Sequence, residues 1–186
     1  MTKKYPPTSP LTNFSPGRRQ ILATLIAAVA AGLTPSFSRA AEPALQLPKP
    51  GPRDACPVCG MFPARYPDWI ATVLYKDGHA HHFDGAKDMF KYLLNMPKFA
   101  PGHRKQDIKA IGVTDYYATQ MIDARSALYV IGSDVLGPMG HDLIPHPDSY
   151  DAEEFMKDHH GKRLLKFGEI TMEMLLGLDK GKFVLK

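Results

Sequence analysis

The sequence predicts an α+β fold built from two related ββαβ units behind a cleavable leader. Three observations carry that expectation: short β-rich runs separated by turn residues, helical periodicity confined to a few stretches, and an element order that occurs twice. The chain has 186 residues, enough for one ordinary domain or two small ones with a real core. Its apolar content of 44% is ordinary for a globular chain and gives no sign of disorder or of a multi-span membrane protein.

Residues 1–40 are expected to be a signal peptide. Lys3, Lys4, Arg18 and Arg19 precede an apolar run from Ile21 to Leu33, and Ser38-Arg39-Ala40 places small residues at a cleavage point. The run is short for a membrane span. Arg18-Arg19-Gln20-Ile21-Leu22 also matches a twin-arginine export signal, with a Sec signal as the alternative. No cysteine lies at the cleavage region, so no lipid anchor is expected there. The formal charge of +4 belongs to this leader: without its five basic residues, 18 basic face 19 acidic, which removes any case for nucleic-acid binding.

Residues 41–53 are proline-rich and read as an extended, mobile linker. The first unit is expected over 54–116. Trp69 to Tyr75 is rich in β-branched and aromatic residues and reads as a strand. Asp77-Gly78 turns the chain, and His79 to Phe83 returns as a second strand. Asp84 can cap a helix from about Gly85 to Asn95, whose Ala86, Met89, Phe90, Leu93 and Leu94 recur at helical spacing before Pro97 ends it. Ile108 to Val113 is the closing strand.

The second unit is expected over 117–186. Gln120–Asp123 and Ala127–Ile131 read as extended, Gly137 to Gly140 as a turn, and Asp142–His146 as a strand. Asp151 and Glu154 form a capping-box pattern for a helix through about His159, which Gly161 stops. Leu164–Phe167 reads as a short strand, and Ile170–Leu178 as a helix with Thr171 near its start. Ala86–Phe90 and Ala152–Met156 match weakly, in keeping with a repeat; a single α+β domain is the alternative.

Chemistry concentrates in Cys56-Pro57-Val58-Cys59-Gly60-Met61, which holds both cysteines. Thiolate and thioether are soft donors and select Cu(I) over hard cations. Pro57 stiffens the loop, and Gly60 lets it bend so that three sulfurs can converge. A disulfide here would close only a small loop and add little stability. A thioredoxin-like pair would open a helix after a strand, whereas this one follows proline-rich chain. Zinc is a third reading, with His79 and His81, on one face of a strand, folding back on the cysteines. His79, His81 and His82 could each bind metal, with the polar face of a hairpin as the alternative for at least one of them, while His103, His159 and His160 read as surface. Met139-Gly140-His141 places a thioether and an imidazole together in a turn.

Taken in order, the cysteine loop, the Trp69 strand, Asp77-Gly78, Phe83-Asp84, Val113-Thr114-Asp115-Tyr116, Ile122-Asp123-Ala124, Tyr129 to Ser133 and Gly137-Pro138-Met139-Gly140 resemble the NosL family, accessory proteins of nitrous oxide reductase. The resemblance covers roughly residues 54–170. It implies a pair of ββαβ units as in organomercurial lyase, and a periplasmic Cu(I) chaperone rather than an enzyme. It also implies a copper-receiving enzyme or assembly factor as partner, in nitrous oxide reductase maturation. By position it carries over Cys56, Cys59 and Met61 as metal residues, Met139 from the second unit, and His141 beside it as a lesser candidate. Many members carry a lipidated cysteine, which is not seen in this leader. The rival readings are a thiol-dependent lyase or oxidoreductase using Cys56 and Cys59, and a structural zinc or disulfide module.

Overall fold

The computed structural model describes residues 45–183, so the expected leader lies outside the described residues. Two antiparallel sheets organise the chain. The first has the strand order β2-β1-β3-β4, from β1 (Ala71–Tyr75), β2 (Ala80–Phe83), β3 (Ile108–Thr114) and β4 (Met121–Asp123). The second has the order β6-β5-β7, from β5 (Leu128–Ile131), β6 (Ile144–His146) and β7 (Arg163–Lys166). Helix α1 (Ala86–Leu94) joins β2 to β3, and α3 (Ser149–Asp158) joins β6 to β7. Each half therefore repeats one plan, a hairpin whose first strand is central and a helix crossing to the strand on its other side. Short α2 (Met96–Phe99) follows α1, and α4 (Met172–Leu178) closes the described chain.

The β1–β2 hairpin forms where Asp77-Gly78 was expected to turn, with Gly78 at φ +89°. Side chains alternate along β1, so Ala71, Val73 and Tyr75 enter the core while Thr72 faces away toward His82. β5 is buried on both faces: Tyr129 and Ile131 join the main core, whereas Val130 joins Ile144, Ala152 and Phe155 beneath α3. Helix α1 ties the halves together. Its Phe90 ring meets Tyr129 of β5 edge-on at 5.1 Å and lies 5.0 Å from Phe167.

Three expectations are corrected. β4 pairs with β3 and extends the first sheet, so the second unit's own hairpin is β5–β6. Helix α1 ends at Leu94 with Asn95 as its C-cap, ahead of Pro97 as expected, and Pro97 stands in the first turn of the separate helix α2. The cap of α3 is Asp148, whose carboxylate accepts from Asp151 N–H at 3.0 Å; Asp151 lies inside the helix. The proline-rich segment is fastened where described: Leu45 N–H donates to Met121 O at 2.9 Å, alongside β4. At α4, Thr171 accepts from Met174 N–H and is the N-cap.

Candidate metal centre

The loop carrying Cys56 and Cys59 closes on its own backbone. Cys56 N–H donates to Met61 O at 2.7 Å, and Gly60 N–H donates to Cys56 O at 2.9 Å. Gly60 sits at φ +80°, a conformation that favours a residue without Cβ. Both cysteines are free; Cys56 is buried and Cys59 half-buried.

Facing the loop are two carboxylates that sequence reasoning did not assign to a site. Asp84 directly follows β2 and Asp88 stands in the first turn of α1; both are buried. Donor atoms of Cys56, Cys59, Asp84 and Asp88 all lie within 4.8 Å of one another. Cys59 Sγ donates to Asp84 Oδ1 at 3.1 Å, and Cys56 Sγ approaches Asp88 Oδ2 at 3.7 Å. Asp84 thus does not cap α1 as expected. Gly85 takes the N-cap position without a side chain, and Lys87 N–H in the first turn is satisfied from the second unit by Asp142 Oδ1 at 2.7 Å. The signal in the sequence was the four-residue spacing of Asp84 and Asp88 across a helix start, which a capping role had already absorbed.

Burial favours the protonated form of both thiols. Burial pushes the Cys56 thiol up to about 11, partly offset by backbone N–H groups of the loop. Burial also raises Cys59, and its hydrogen bonds to Asp84 and Asp88 add to the rise. Asp84 Oδ2 is buried with no hydrogen-bond partner among the described residues. Two thiols and two carboxylates, one of them with an orphaned oxygen, form an electron-rich pocket that suits a cation able to displace thiol protons. Lys91 Nζ stands 3.4 Å from Asp88 Oδ1, and the positive end of α1 points to the same place.

The turn at Gly137–Gly140 is pinned to this end of α1. Buried Lys87, the neighbour of Asp88, donates through Nζ to Met139 O at 2.9 Å and His141 O at 2.7 Å. The Met139 side chain is 45% exposed. The His141 ring packs edge-on against Phe183 at 4.7 Å, with Nδ1 buried and unpartnered among the described residues, and it is not among the donors clustered at the cysteines. Met61 is half-buried within the loop.

His79 and His81 do not fold back on the cysteines, as the zinc reading required. They cluster with His103, which was expected to be plain surface, at the far end of the hairpin. His82 turns to the opposite face, where its Nδ1 is 2.9 Å from Thr72 Oγ1. The signal for His103 was absent from the sequence, because only the path of the chain after α2 brings it to the hairpin.

The family model described as NosL matches residues 49–175. The copper-binding lipoprotein NosL of Stutzerimonas stutzeri is 31% identical over 130 residues, covering 66% of this chain and 64% of that protein's length. The crystal structure of the copper chaperone NosL from Shewanella denitrificans matches with a TM-score of 0.57 at 27% identity, over 69% of this chain and 97% of that one.

Proposed function

The chain belongs to the NosL family, and on that premise we propose that it is a periplasmic Cu(I) carrier, a metallochaperone that takes copper as cargo and hands it to nitrous oxide reductase during assembly. One observation supports this above the others: two free thiols and two buried carboxylates converge at a loop closed by its own backbone hydrogen bonds. The relatives are named for copper binding and copper chaperoning, in keeping with the soft donors present here.

Cu(I) enters from the side of Cys59, the more exposed thiol. Each thiol that binds it gives up a proton to solvent, so loading is coupled to proton release. Met61, and Met139 from the second unit, supply thioethers that bind weakly and independently of pH. His141 is a lesser candidate beside them. Release reverses the order, as a partner's ligands displace the protein's own one at a time. Thiols held protonated near neutral pH are poor nucleophiles, which speaks against a thiol lyase or oxidoreductase, since such enzymes depress the pKa of the attacking sulfur. Export rests on the basic and apolar leader ending at Ala40. Among the described residues no helix is long and apolar enough to cross a membrane.

Anaerobic transfer tests the proposal. Protein loaded with Cu(I) is mixed with copper-free nitrous oxide reductase, the two are separated, and copper and nitrous oxide reduction are measured on the reductase. Copper should move, and activity appear, with the wild-type carrier but not with a Cys56→Ser/Cys59→Ser protein. Retention of all copper by a fully loaded carrier would exclude this recipient.

A further inference from the structure

The hairpin end of the first sheet carries a second donor cluster that the copper carrier leaves unused. His79 and His81 flank the start of β2 two residues apart, so the alternation of an extended chain sets both imidazoles on one side. His103 arrives from the loop after α2. Ligand nitrogens of the three lie within 4.8 Å of one another, and His79 Nε2 is 2.9 Å from His81 Nε2. The His79 and His103 rings stack at 5.4 Å with planes 10° apart, while His81 meets them edge-on at 4.6 and 5.6 Å.

Groups around the cluster hold it in this arrangement. Tyr92 of α1 hydrogen-bonds His81 Nδ1 through its hydroxyl, which leaves His81 Nε2 turned to the other imidazoles. That hydroxyl also bonds Tyr75 OH, and the Tyr75 ring stacks on His103 at 4.1 Å. Backbone contacts fix the two outer residues: Asp77 Oδ1 accepts from His79 N–H at 2.9 Å, and Ala100 O accepts from His103 N–H at 3.0 Å. Orientation of a ligand imidazole by a hydrogen bond to its other nitrogen is the usual support for a metal-binding histidine. His79 is exposed and the other two half-buried, so one side of the cluster is open to solvent.

We propose that His79, His81 and His103 form a second metal site, separate from the sulfur loop, that takes a divalent first-row transition ion. Three imidazole nitrogens without sulfur suit Cu(II), Ni(II) and Zn(II) rather than Cu(I) or the hard cations, and Cu(II) binds most strongly in that series. The open side leaves room for water or an incoming ligand. The site does not depend on the copper-carrier reading.

The test is a Cu(II) titration of the purified Cys56→Ser/Cys59→Ser protein, which lacks the thiols that would reduce the ion. It is followed by electron paramagnetic resonance and by competition with an aminocarboxylate chelator. The expected result is one Cu(II) per chain with imidazole nitrogen coupling. His79→Ala and His103→Ala, each confirmed as folded by circular dichroism, should each weaken binding roughly tenfold to a hundredfold. The same histidine substitutions with both cysteines intact should leave Cu(I) affinity unchanged. Undiminished Cu(II) affinity and an unaltered spectrum in both variants would overturn the proposal. A loss of Cu(I) binding in His79→Ala would overturn it too, by making these histidines part of the sulfur site.

Discussion

Cys59 Sγ donates to Asp84 Oδ1 at 3.1 Å, joining the sulfur loop to the end of β2 across 25 positions of sequence. The bond favours the protonated thiol, in addition to the larger effect of burial. Asp84→Asn removes the negative charge while keeping an oxygen acceptor. Thiolate absorbance in the ultraviolet should then begin to rise at lower pH than in the wild-type protein. An unchanged titration would mean that burial alone holds the proton.

Lys87 is the cation that fastens the second unit's Gly137–Gly140 turn to α1. It is 1% exposed, donates to two turn carbonyls, and pairs with Asp179 Oδ1 at 3.2 Å. Lys87→Met keeps an unbranched side chain one atom shorter and removes the charge. The loss of charged hydrogen bonds and of the partly buried pair should lower stability by about 3 kcal/mol in denaturant unfolding.

Gly85 is required for space rather than for backbone freedom, since its φ of 175° is extended. A Cβ there would collide with Asp142 Oδ2. The Asp142 carboxylate is fixed by N–H groups of Lys87 and Leu143, each at 2.7 Å, and cannot yield easily. Gly85→Ala should therefore lower stability by roughly 1–3 kcal/mol, measured by thermal or chemical unfolding.

Much of this architecture was legible in the sequence because its determinants are local. Asp77-Gly78 marks the hairpin, the spacing of Met89, Phe90 and Leu93 marks α1, and the repeated strand-helix order marks the two units. Pairing was less legible. β4 carries the same strand-like composition whichever sheet it joins, and only the fold places Met121 opposite Thr114. At the site, the two cysteines and Met61 stood out by their spacing. Asp88 sat unremarked in a helical pattern, and Asp84 had a ready local role as a cap. Their convergence with the cysteines comes from the packing of α1 against the loop, which no single stretch encodes.

His146 supplies a pH dependence of stability. It is fully buried, and neither ring nitrogen has a hydrogen-bond partner among the described residues. Burial, with a smaller contribution from His159, lowers its pKa from 6.5 to about 4. Between those values the unfolded chain binds the proton and the folded chain does not. Stability is therefore full above pH 6.5 and falls as the pH drops toward 4. The contribution at stake is at most about 3 kcal/mol. His81, lowered to about 4 by burial and its histidine neighbours, acts in the same direction. His146→Leu should flatten, without abolishing, the acid limb of a plot of unfolding free energy against pH.

The central claim is that the loop at 56–61 holds Cu(I) through its cysteines, with Met61 as an exchangeable thioether. An anaerobic Cu(I) titration of the reduced protein against a competing chelator tests it most directly, with Cys56→Ser, Cys59→Ser and Met61→Leu measured beside the wild type. Tight binding of one Cu(I) per chain is expected, weakened in all three variants and more in the cysteine variants than in Met61→Leu. Affinity undiminished by either cysteine substitution would contradict it.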